Sequence, residues 1–410
     1  MISKRVMQLL RLSKKLSVRV MLMTLLALVA VLVAPLADTL IPDALKERFG
    51  EQAALPVLNI LAASMLTVTT FSLGVMVQAS QSASSLATPR AYRILMEDTT
   101  TQTVLATFVG SFLFSLTAIA MFRAHYYDTA AAVVVFFMTA FVIAAIITAL
   151  IRWIGHLSQL GSMDHILHLV EDAARPPLQA LMDRPALGGH IAGEGVDAPP
   201  NAVEICAKRS GYIQFVDMPA LQESMAQGGH MWLAKMPGTY VIEGDVLART
   251  TCARDVNDAV CDCFTIAKSR SLEQDARFGL MVLAETASRA LSPGVNDPGT
   301  AIDVIHRLTQ LLADCAGPSQ VQPQFDHITA PAIQARDLAE DAYDVLIRDG
   351  AERPEVMEHI LAAQVRLIHS AWPEMAQAAD EKIAYAYAHI DAAGMLAPDR
   401  ARMESVAAPR

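Results

Sequence analysis

Residues 53–89 form a run of 37 positions without a charged side chain. A helix of this length extends about 55 Å at ~1.5 Å per residue, whereas the hydrocarbon core of a bilayer is about 30 Å thick. The run therefore predicts a membrane-spanning helix that projects beyond the bilayer at its Gln81 to Pro89 end. Arg90 and Arg93 follow this end, as expected for the cytoplasmic side of an inner membrane.

Polar residues recur along this run at helical spacing. At ~100° per residue they fall on one arc of about 100°, which contains Asn59, Thr67, Thr70, Gly74, Gln78 and Gln81. An unsatisfied polar group in lipid costs several kcal/mol, so such a stripe faces either neighbouring helices or water. Two interpretations follow: small polar residues that hold helices together, and pore-lining residues of a water-filled path.

The charge distribution divides the chain into a membrane half and a soluble half. Residues 1–152 contain 12 Lys and Arg against 7 Asp and Glu, and residues 153–410 contain 20 against 35. Hydrophobic residues make up 53% of the chain and the mean hydropathy is +0.34, which indicates a membrane protein with a large soluble part. The acidic soluble half lacks the basic face that phosphate binding requires, so no nucleic-acid partner is predicted.

Four membrane spans are predicted within residues 20–152. Besides the striped helix, they are the apolar runs 20–37, 101–122 and 129–151. The tail of residues 1–19 carries six basic residues, which place the N-terminus in the cytoplasm by the positive-inside rule. Four spans return the C-terminus to the same side. We therefore predict a multi-pass protein of the bacterial inner membrane, with the lipid bilayer as a partner and both termini cytoplasmic.

None of the four predicted spans contains Asp, Glu, Lys or Arg. Pumps and proton-coupled transporters use an ionisable group at membrane depth, so these classes are disfavoured. A single striped helix cannot enclose a pore, and a conducting path for a small ion or solute requires several copies around a symmetry axis. The pore-lining interpretation therefore predicts a homo-oligomer.

Residues 153–201 are predicted to form a juxtamembrane helix and a Pro/Gly linker. The helix covers residues 162–174 and ends before the Pro176-Pro177 pair. One face of this helix carries Asp164, His168 and Asp172. Carboxylate and imidazole groups at this spacing suit a metal ion, but a solvated helix face explains them as well. We predict the solvated face and no metal.

The soluble half is predicted to be an α+β region. Residues 202–268 alternate apolar and polar side chains with the strand period, which predicts a small β-barrel-like domain with one strand over 260–266. Residues 269–395 show helical periodicity and predict a helical bundle, followed by a loose tail at 396–410. The five cysteines, an odd number, all follow the membrane region and are predicted to be reduced thiols.

A helix corner supplies the candidate site of the soluble half. The first helix is predicted to start at a Ser271 cap, and Asp297 caps the second helix, with Pro298 at its first position. The second N-terminus could hold an anion through its free N–H groups, or the corner could simply fix the packing. The candidate residues, among which an Asp275–Arg289 pairing is conceivable, are Asp275, Arg289, Ser292, Asn296, Asp297 and Thr300.

Several sequence motifs of this region occur together. They are Leu272-Glu273-Gln274-Asp275, Phe278-Gly279-Leu280, and Ala290-Leu291-Ser292-Pro293-Gly294-Val295-Asn296-Asp297-Pro298 followed by Thr300-Ala301. With the four-span N-terminal half, they resemble a bacterial family of predicted membrane proteins, the domain of unknown function 2254. The resemblance covers most of the chain. It implies the architecture of spans followed by a soluble domain, and it implies no settled activity.

The motifs indicate no catalytic arrangement, because the sequence offers no nucleophile paired with a base, no metal-ligand set and no phosphate loop. We therefore predict that the protein is not an enzyme and uses no cofactor. The leading hypothesis is a homo-oligomeric inner-membrane protein with a cytosolic regulatory domain, in which the second spans line a channel for small ions or solutes. The alternative is a non-conducting membrane scaffold or sensor whose cytosolic domain binds a partner or ligand.

Overall fold

Two compact units make up the chain in a computed structural model. Among the described residues, the membrane unit is built from those within Gln8–Leu86 and Tyr92–His165, and the α/β unit from those within Ala87–Ala91 and Ile166–Arg410. The structure describes residues 16–33, 51–86, 88–95, 99–127, 129–157, 162–193, 198–225, 228–252, 256–318 and 322–407.

The membrane unit consists of long apolar helices. In chain order the first helices are α1 Leu16–Val33, α2 Glu51–Leu86, the short α3 Pro89–Leu95, α4 Thr99–Arg123 and α5 Thr129–Leu157. Within the described ranges, three stretches are long and apolar enough to cross a membrane: Gln52–Ala79, Thr100–Arg123 and Thr129–Leu157. The predicted first span overlaps α1, and its residues 34–37 lie outside the described residues. The count of four spans therefore stays a prediction.

Helices α2, α4 and α5 pack against one another through buried apolar side chains. One cluster includes Leu58, Phe114 and Val135, and a second includes Met65, Phe108 and Ile146. Small residues such as Ala118 and Ala131, both fully buried, let the helix backbones approach closely. Each of the three helices thus buries one face within the unit.

Two sheets form the β part of the α/β unit. The strands are β1 Gly189–Ile191, β2 Val203–Cys206, β3 Gly211–Val216, β4 Met231–Leu233, β5 Tyr240–Val241, β6 Val246–Thr250, β7 Phe264–Ala267 and β8 Phe325–Ala330. The larger sheet has the order β1-β8-β4-β6-β2, and the smaller has the order β5-β3-β7. Strand β8 pairs in parallel with β1 and β4, and the other pairs are antiparallel.

The two sheets extend beyond the β domain predicted over 202–268. Strand β1 lies within the predicted linker 153–201, and β8 lies within the predicted helical domain 269–395. Both strands join the larger sheet, so a contiguous β segment does not account for it. The barrel-like arrangement is not confirmed.

Helix α6, Met163–Asp183, is longer than the sequence predicted. It passes through Pro176 and Pro177, where a stop was expected. Proline removes a helical hydrogen bond and crowds the preceding turn. Because Pro177, Leu178 and Met182 are buried, apolar burial offsets this loss.

The strand predicted over 260–266 is wrong in its first half. Asn257–Cys263 forms helix α8, and β7 begins only at Phe264. Val260 and Cys263, three residues apart, are the side chains that α8 buries. This spacing matches one helix face, whereas a strand would bury alternate residues. All five cysteines are free thiols.

Helix α7, Met218–Ser224, belongs to the β part. The remaining helices form a bundle around an apolar core, and they are α9 Ala276–Leu291, α10 Pro298–Ala313, α11 Ala335–Gly350, α12 Pro354–Ile368, α13 Pro373–Ala393 and α14 Ala397–Ala407. The tail at 396–410, expected to be loose, therefore contains a helix. Met403 of α14 is buried, and its carbonyl accepts from the Tyr387 hydroxyl at 3.2 Å.

Candidate functional site

The polar stripe lies on the exposed face of α2. Its six members, all exposed, are Asn59, Thr67, Thr70, Gly74, Gln78 and Gln81. On the same wheel the buried side chains of α2, including Leu58, Met65 and Ser72, occupy about 200–280°, whereas the stripe occupies about 0–100°. The stripe therefore points away from the helices on which α2 packs.

Hydrogen bonds within α2 satisfy part of the stripe. Asn59, Thr67 and Thr70 each donate to the carbonyl oxygen four residues earlier, at 3.0, 3.2 and 2.8 Å. These bonds reduce the free-energy cost of placing the three side chains at membrane depth. The amides of Gln78 and Gln81 make no hydrogen bond to the part of the chain that the structure describes. The two amides are thus the polar groups that most need another partner.

Within the described ranges, the surroundings of the stripe do not support helix packing inside one chain. A Cβ placed on Gly74 would have no described neighbour within 4 Å. Leu66, Phe71 and Val77, all large apolar residues, are exposed on the same side of α2. The exposed face thus combines a polar centre with apolar neighbours.

The segment from Ser292 to Thr300 forms the corner between α9 and α10. The Ser292 hydroxyl donates to the Arg289 carbonyl at 2.6 Å, and Asn296 adopts a left-handed φ of 51°. Asp297 caps α10, and its carboxylate accepts from the Thr300 N–H at 3.1 Å and the Thr300 hydroxyl at 2.6 Å. The bond from the hydroxyl, and then the backbone bonds, lower the pKa of the Asp297 carboxyl.

Arg353 joins this corner to the helical bundle. Its guanidinium donates to the Asn296 side-chain oxygen and to the Leu291 carbonyl, both at 2.8 Å. The Asp297 carboxylate already occupies the N-terminus of α10, so a second negative charge would be repelled. The geometry favours a packing corner over an anion site.

Asp275 pairs with Arg270 and not with Arg289. Asp275 is 1% exposed, and its carboxylate accepts two N–H bonds from Arg270, at 2.8 and 2.9 Å. It also caps α9 by accepting from the Phe278 N–H at 3.1 Å, whereas the sequence had placed the cap at Ser271. Asp275 thus has two structural roles.

Sequence reasoning missed a cavity of 340 Å³ in the α/β unit. It lies among α6, β3 and the start of α9, and its lining is mostly apolar, including Leu181, Leu187, Phe215 and Met236. Arg184 and Glu273 are the charged residues of the lining. The Arg184 side chain has no ion pair or hydrogen bond with any residue whose position the structure gives. An apolar pocket with few polar groups is typical of a small-molecule site.

A left-handed turn forms part of the cavity wall. Ala186 and Leu187 have φ values of 51° and 58°, and Gly188 follows at 86°. A left-handed conformation costs a non-glycine residue about 1–2 kcal/mol. Strained backbone of this kind clusters at functional sites. The strained backbone is therefore a second feature of this cavity, besides its apolar lining, that is typical of a binding site.

His168 and Glu171 of α6 contact an arginine, whereas Asp164 and Asp172 of the predicted face are exposed. Arg307 of α10 donates to Glu171 at 2.9 Å, and its Nη1 lies 3.0 Å from the His168 Nδ1. A guanidinium at this position disfavours a metal cation there. Across the described ranges, no group of three or more His, Cys, Asp and Glu side chains is arranged to hold a metal.

The family model for predicted membrane proteins of DUF2254 matches residues 13–365. The chain belongs to this family. The match covers the spans, both sheets and the helix corner, and the resemblance predicted from the sequence motifs is confirmed.

Relatives of the chain occur in mycobacteria. Uncharacterised proteins of Mycobacterium tuberculosis and Mycobacterium bovis are 31% identical to it over 284 residues, which cover 65% of this chain and 54% of theirs. The chain therefore spans about half the length of these relatives. No solved structure matches the chain.

Proposed function

We propose that the protein is a homo-oligomeric channel of the bacterial inner membrane, with the α2 helices of several subunits lining a path for small ions or solutes. In this proposal the α/β unit lies in the cytosol and regulates the path. The observation that carries the proposal is the position of the polar stripe, on the exposed face of α2 and away from the helices of its own unit.

The unpaired Gln78 amide provides the energetic argument. In hydrocarbon, an amide without hydrogen bonds costs several kcal/mol, and Gln78, which lies within the apolar stretch Gln52–Ala79, lacks such bonds in the described chain. Several α2 helices around an axis would offer this amide water or the Gln78 amides of other subunits. Neutral dipoles of this kind can replace part of the hydration of a small ion or solute.

Flux measurements on proteoliposomes test this proposal. Gln78→Leu is expected to lower the flux of small ions about fivefold, if the lost ring of amides raises the barrier by about 1 kcal/mol. Thr70→Val is expected to change the flux in the same direction. Thr117→Val is the matched control, because Thr117 lies on α4 and donates only to its own helix, at 2.8 Å.

The oligomeric state is measured on the same samples by chemical crosslinking in the bilayer. Several crosslinked copies and a leak that depends on Gln78 would support the channel. A monomeric protein in liposomes that remain tight would refute it.

A ligand-binding role of the α/β unit is the second candidate function. The cavity of 340 Å³ that Arg184 lines, called the Arg184 cavity below, favours it. The apolar lining suits an apolar body, and the unpaired guanidinium suits one negative charge. Glu273 in the same lining disfavours a second negative charge. We infer that the ligand is a small apolar monocarboxylate, and octanoate is a suitable probe.

Titration calorimetry on the full-length protein in lipid nanodiscs tests the cavity, with empty nanodiscs as the reference. Arg184→Gln is expected to weaken octanoate binding about tenfold, because a charge-assisted hydrogen bond is lost. Arg209→Gln makes the same change at an exposed arginine outside the cavity and is expected to bind normally. Leu181→Trp should fill the cavity and abolish binding. Equal affinities of the Arg184 and Arg209 variants would exclude this ligand class.

A further inference from the structure

A groove of 960 Å³, called the threonine groove below, lies on the membrane unit between α4 and α5. The polar residues of its lining are Thr100, Thr103, Thr107, Thr148, Arg152 and His156. The first three are spaced i, i+3 and i+7 on α4, and the last three i, i+4 and i+8 on α5. Each set therefore occupies one helix face.

The threonine groove lies at one end of the helix pair. Residues 124–128 alone separate α4 from α5, and helices joined so tightly run antiparallel. The start of α4 and the end of α5 consequently reach the same side of the membrane. Arg152 directly follows the apolar run 129–151 predicted as a span, so we expect its guanidinium at the depth of the phospholipid headgroups.

The described lining of the groove carries a positive charge. Arg152 supplies this permanent charge, and no acidic side chain is among the described residues of the lining. Arg152 has no ion pair or hydrogen bond with the described chain, whereas the His156 Nε2 lies 3.0 Å from the Thr101 hydroxyl. A free guanidinium at a membrane surface binds phosphate through several N–H groups at once.

The threonine hydroxyls complement a headgroup that carries hydroxyl donors. Thr107 donates to the Thr103 carbonyl and Thr148 to the Ala144 carbonyl, both at 2.9 Å. Their protons are therefore used within the helices, and their oxygen atoms remain as acceptors. A glycerol headgroup can donate to these oxygens while its phosphate binds the arginine.

The groove also has an apolar part. Phe141, Ala144 and Ala145 line it on α5, two to three turns before Arg152 and therefore deeper in the membrane. Phe141 is 75% exposed, so an acyl chain can pack against its ring. The lining thus changes from cationic to apolar in the direction in which a phospholipid changes from headgroup to chain.

We propose that the threonine groove binds an anionic glycerophospholipid of the phosphatidylglycerol class. The phosphate binds Arg152, the glycerol hydroxyls bind the threonine oxygens, and one acyl chain lies along Phe141 and Ala145. Basic pockets between membrane helices bind phospholipid headgroups in this way. The site is contained within one subunit and requires neither the channel nor the cavity of the α/β unit.

Native mass spectrometry of the full-length protein tests the proposal. The protein is released from micelles that contain equal amounts of phosphatidylglycerol and phosphatidylcholine with the same acyl chains. The wild type is expected to retain phosphatidylglycerol preferentially, and Arg152→Gln to lower this retention about fivefold. Arg123→Gln is the matched control, because it removes the same charge at the other end of α4.

Two further samples distinguish a lipid phosphate from free inorganic phosphate and test the role of the acyl chain. Inorganic phosphate added in excess is expected to leave the lipid bound, and Ala145→Trp is expected to block the acyl chain and lose the lipid although Arg152 is intact. Displacement by inorganic phosphate would overturn the lipid assignment. Equal losses in the Arg152 and Arg123 variants would overturn the site, because they would show a general effect of charge.

Discussion

Glu171→Ala is expected to destabilise the α/β unit by about 3–5 kcal/mol. Glu171 of α6 and Arg307 of α10 form an ion pair with 2.9 Å between Oε2 and Nη1, and each side chain is 10% exposed. The other oxygen of Glu171 accepts from Arg175 at 3.0 Å. Removal of the carboxylate leaves the buried guanidinium with the more exposed Asp303 as its acidic partner. Loss of one member of a buried pair has this large effect because the charge that stays in the interior is then compensated only by a partly exposed carboxylate, which solvent screens.

Urea unfolding of the full-length protein in detergent, followed by tryptophan fluorescence, measures this effect. Glu204→Ala is the matched control, since Glu204 binds Arg249 at 2.9 Å with both side chains about half exposed. An exposed pair contributes about 0–1 kcal/mol. The double variant Glu171→Leu/Arg307→Met should recover most of the stability, because no unpaired charge remains in the interior and Asp303, which loses Arg307, is 45% exposed. If the Glu171 and Glu204 variants lose the same small amount, the ion pair is not buried as described.

Helix α2 shows how much of the candidate site periodicity can predict. The charge-free run predicted a helix over 53–89, and α2 covers Glu51–Leu86. The spacing predicted one polar arc, and the six stripe residues share one exposed face. Whether this arc faces the neighbouring helices or the surroundings depends on how α4 and α5 pack against α2. Packing between separate segments cannot be read from the periodicity of one segment. For that reason the sequence left helix packing and a water-filled path as alternatives.

Strands β1 and β8 had no local signal that could reveal them. Strand β1 has three residues within a Pro/Gly-rich stretch, and β8 lies between two long helices. They become strands because they pair in parallel with each other, although they are far apart in the chain. With three residues, β1 is too short for periodicity to distinguish a strand from a loop.

The start of α9 was decided by a tertiary contact. Ser271 and Gln274 have the spacing of a capping box, but the Gln274 amide bonds both the N–H and the carbonyl of Val216 in β3, at 2.8 and 3.1 Å. Asp275 is then the cap. Its partner Arg270 is only five residues away, so a search for local opposite charges could have found this pair.

The Arg184 cavity could not be found from spacing. Its walls come from α6, the left-handed turn, β3 and the start of α9, which meet only in the folded unit. Alanine and leucine also give no hint of a left-handed backbone, since only Gly188 in this turn is a residue type that favours it. A cavity of this kind is a product of packing.

Gly279→Ala is expected to destabilise the α/β unit by about 1–2 kcal/mol, because α6 and α9 are in contact at this glycine. A Cβ on Gly279 would lie 2.3 Å from the Ala174 Cβ and 2.9 Å from the Ala174 Cα. The second contact involves backbone, so a rotamer change cannot relieve it and the helices must separate. Overpacking costs about 1–3 kcal/mol and sometimes more, and the better helix propensity of alanine offsets up to about 1 kcal/mol.

The same unfolding measurement separates this contact from the general effect of a glycine replacement. Gly299→Ala is the matched control in the first turn of α10, where the new Cβ would lie 3.4 Å from the Asp297 Oδ1, an ordinary contact distance. This variant is expected to be neutral or slightly stabilised, because alanine restricts the unfolded chain. The double variant Ala174→Gly/Gly279→Ala removes the contact between the two Cβ atoms and should regain part of the lost stability. If Gly279→Ala proves as stable as Gly299→Ala, α6 and α9 do not approach as closely as Ala174 and Gly279 indicate.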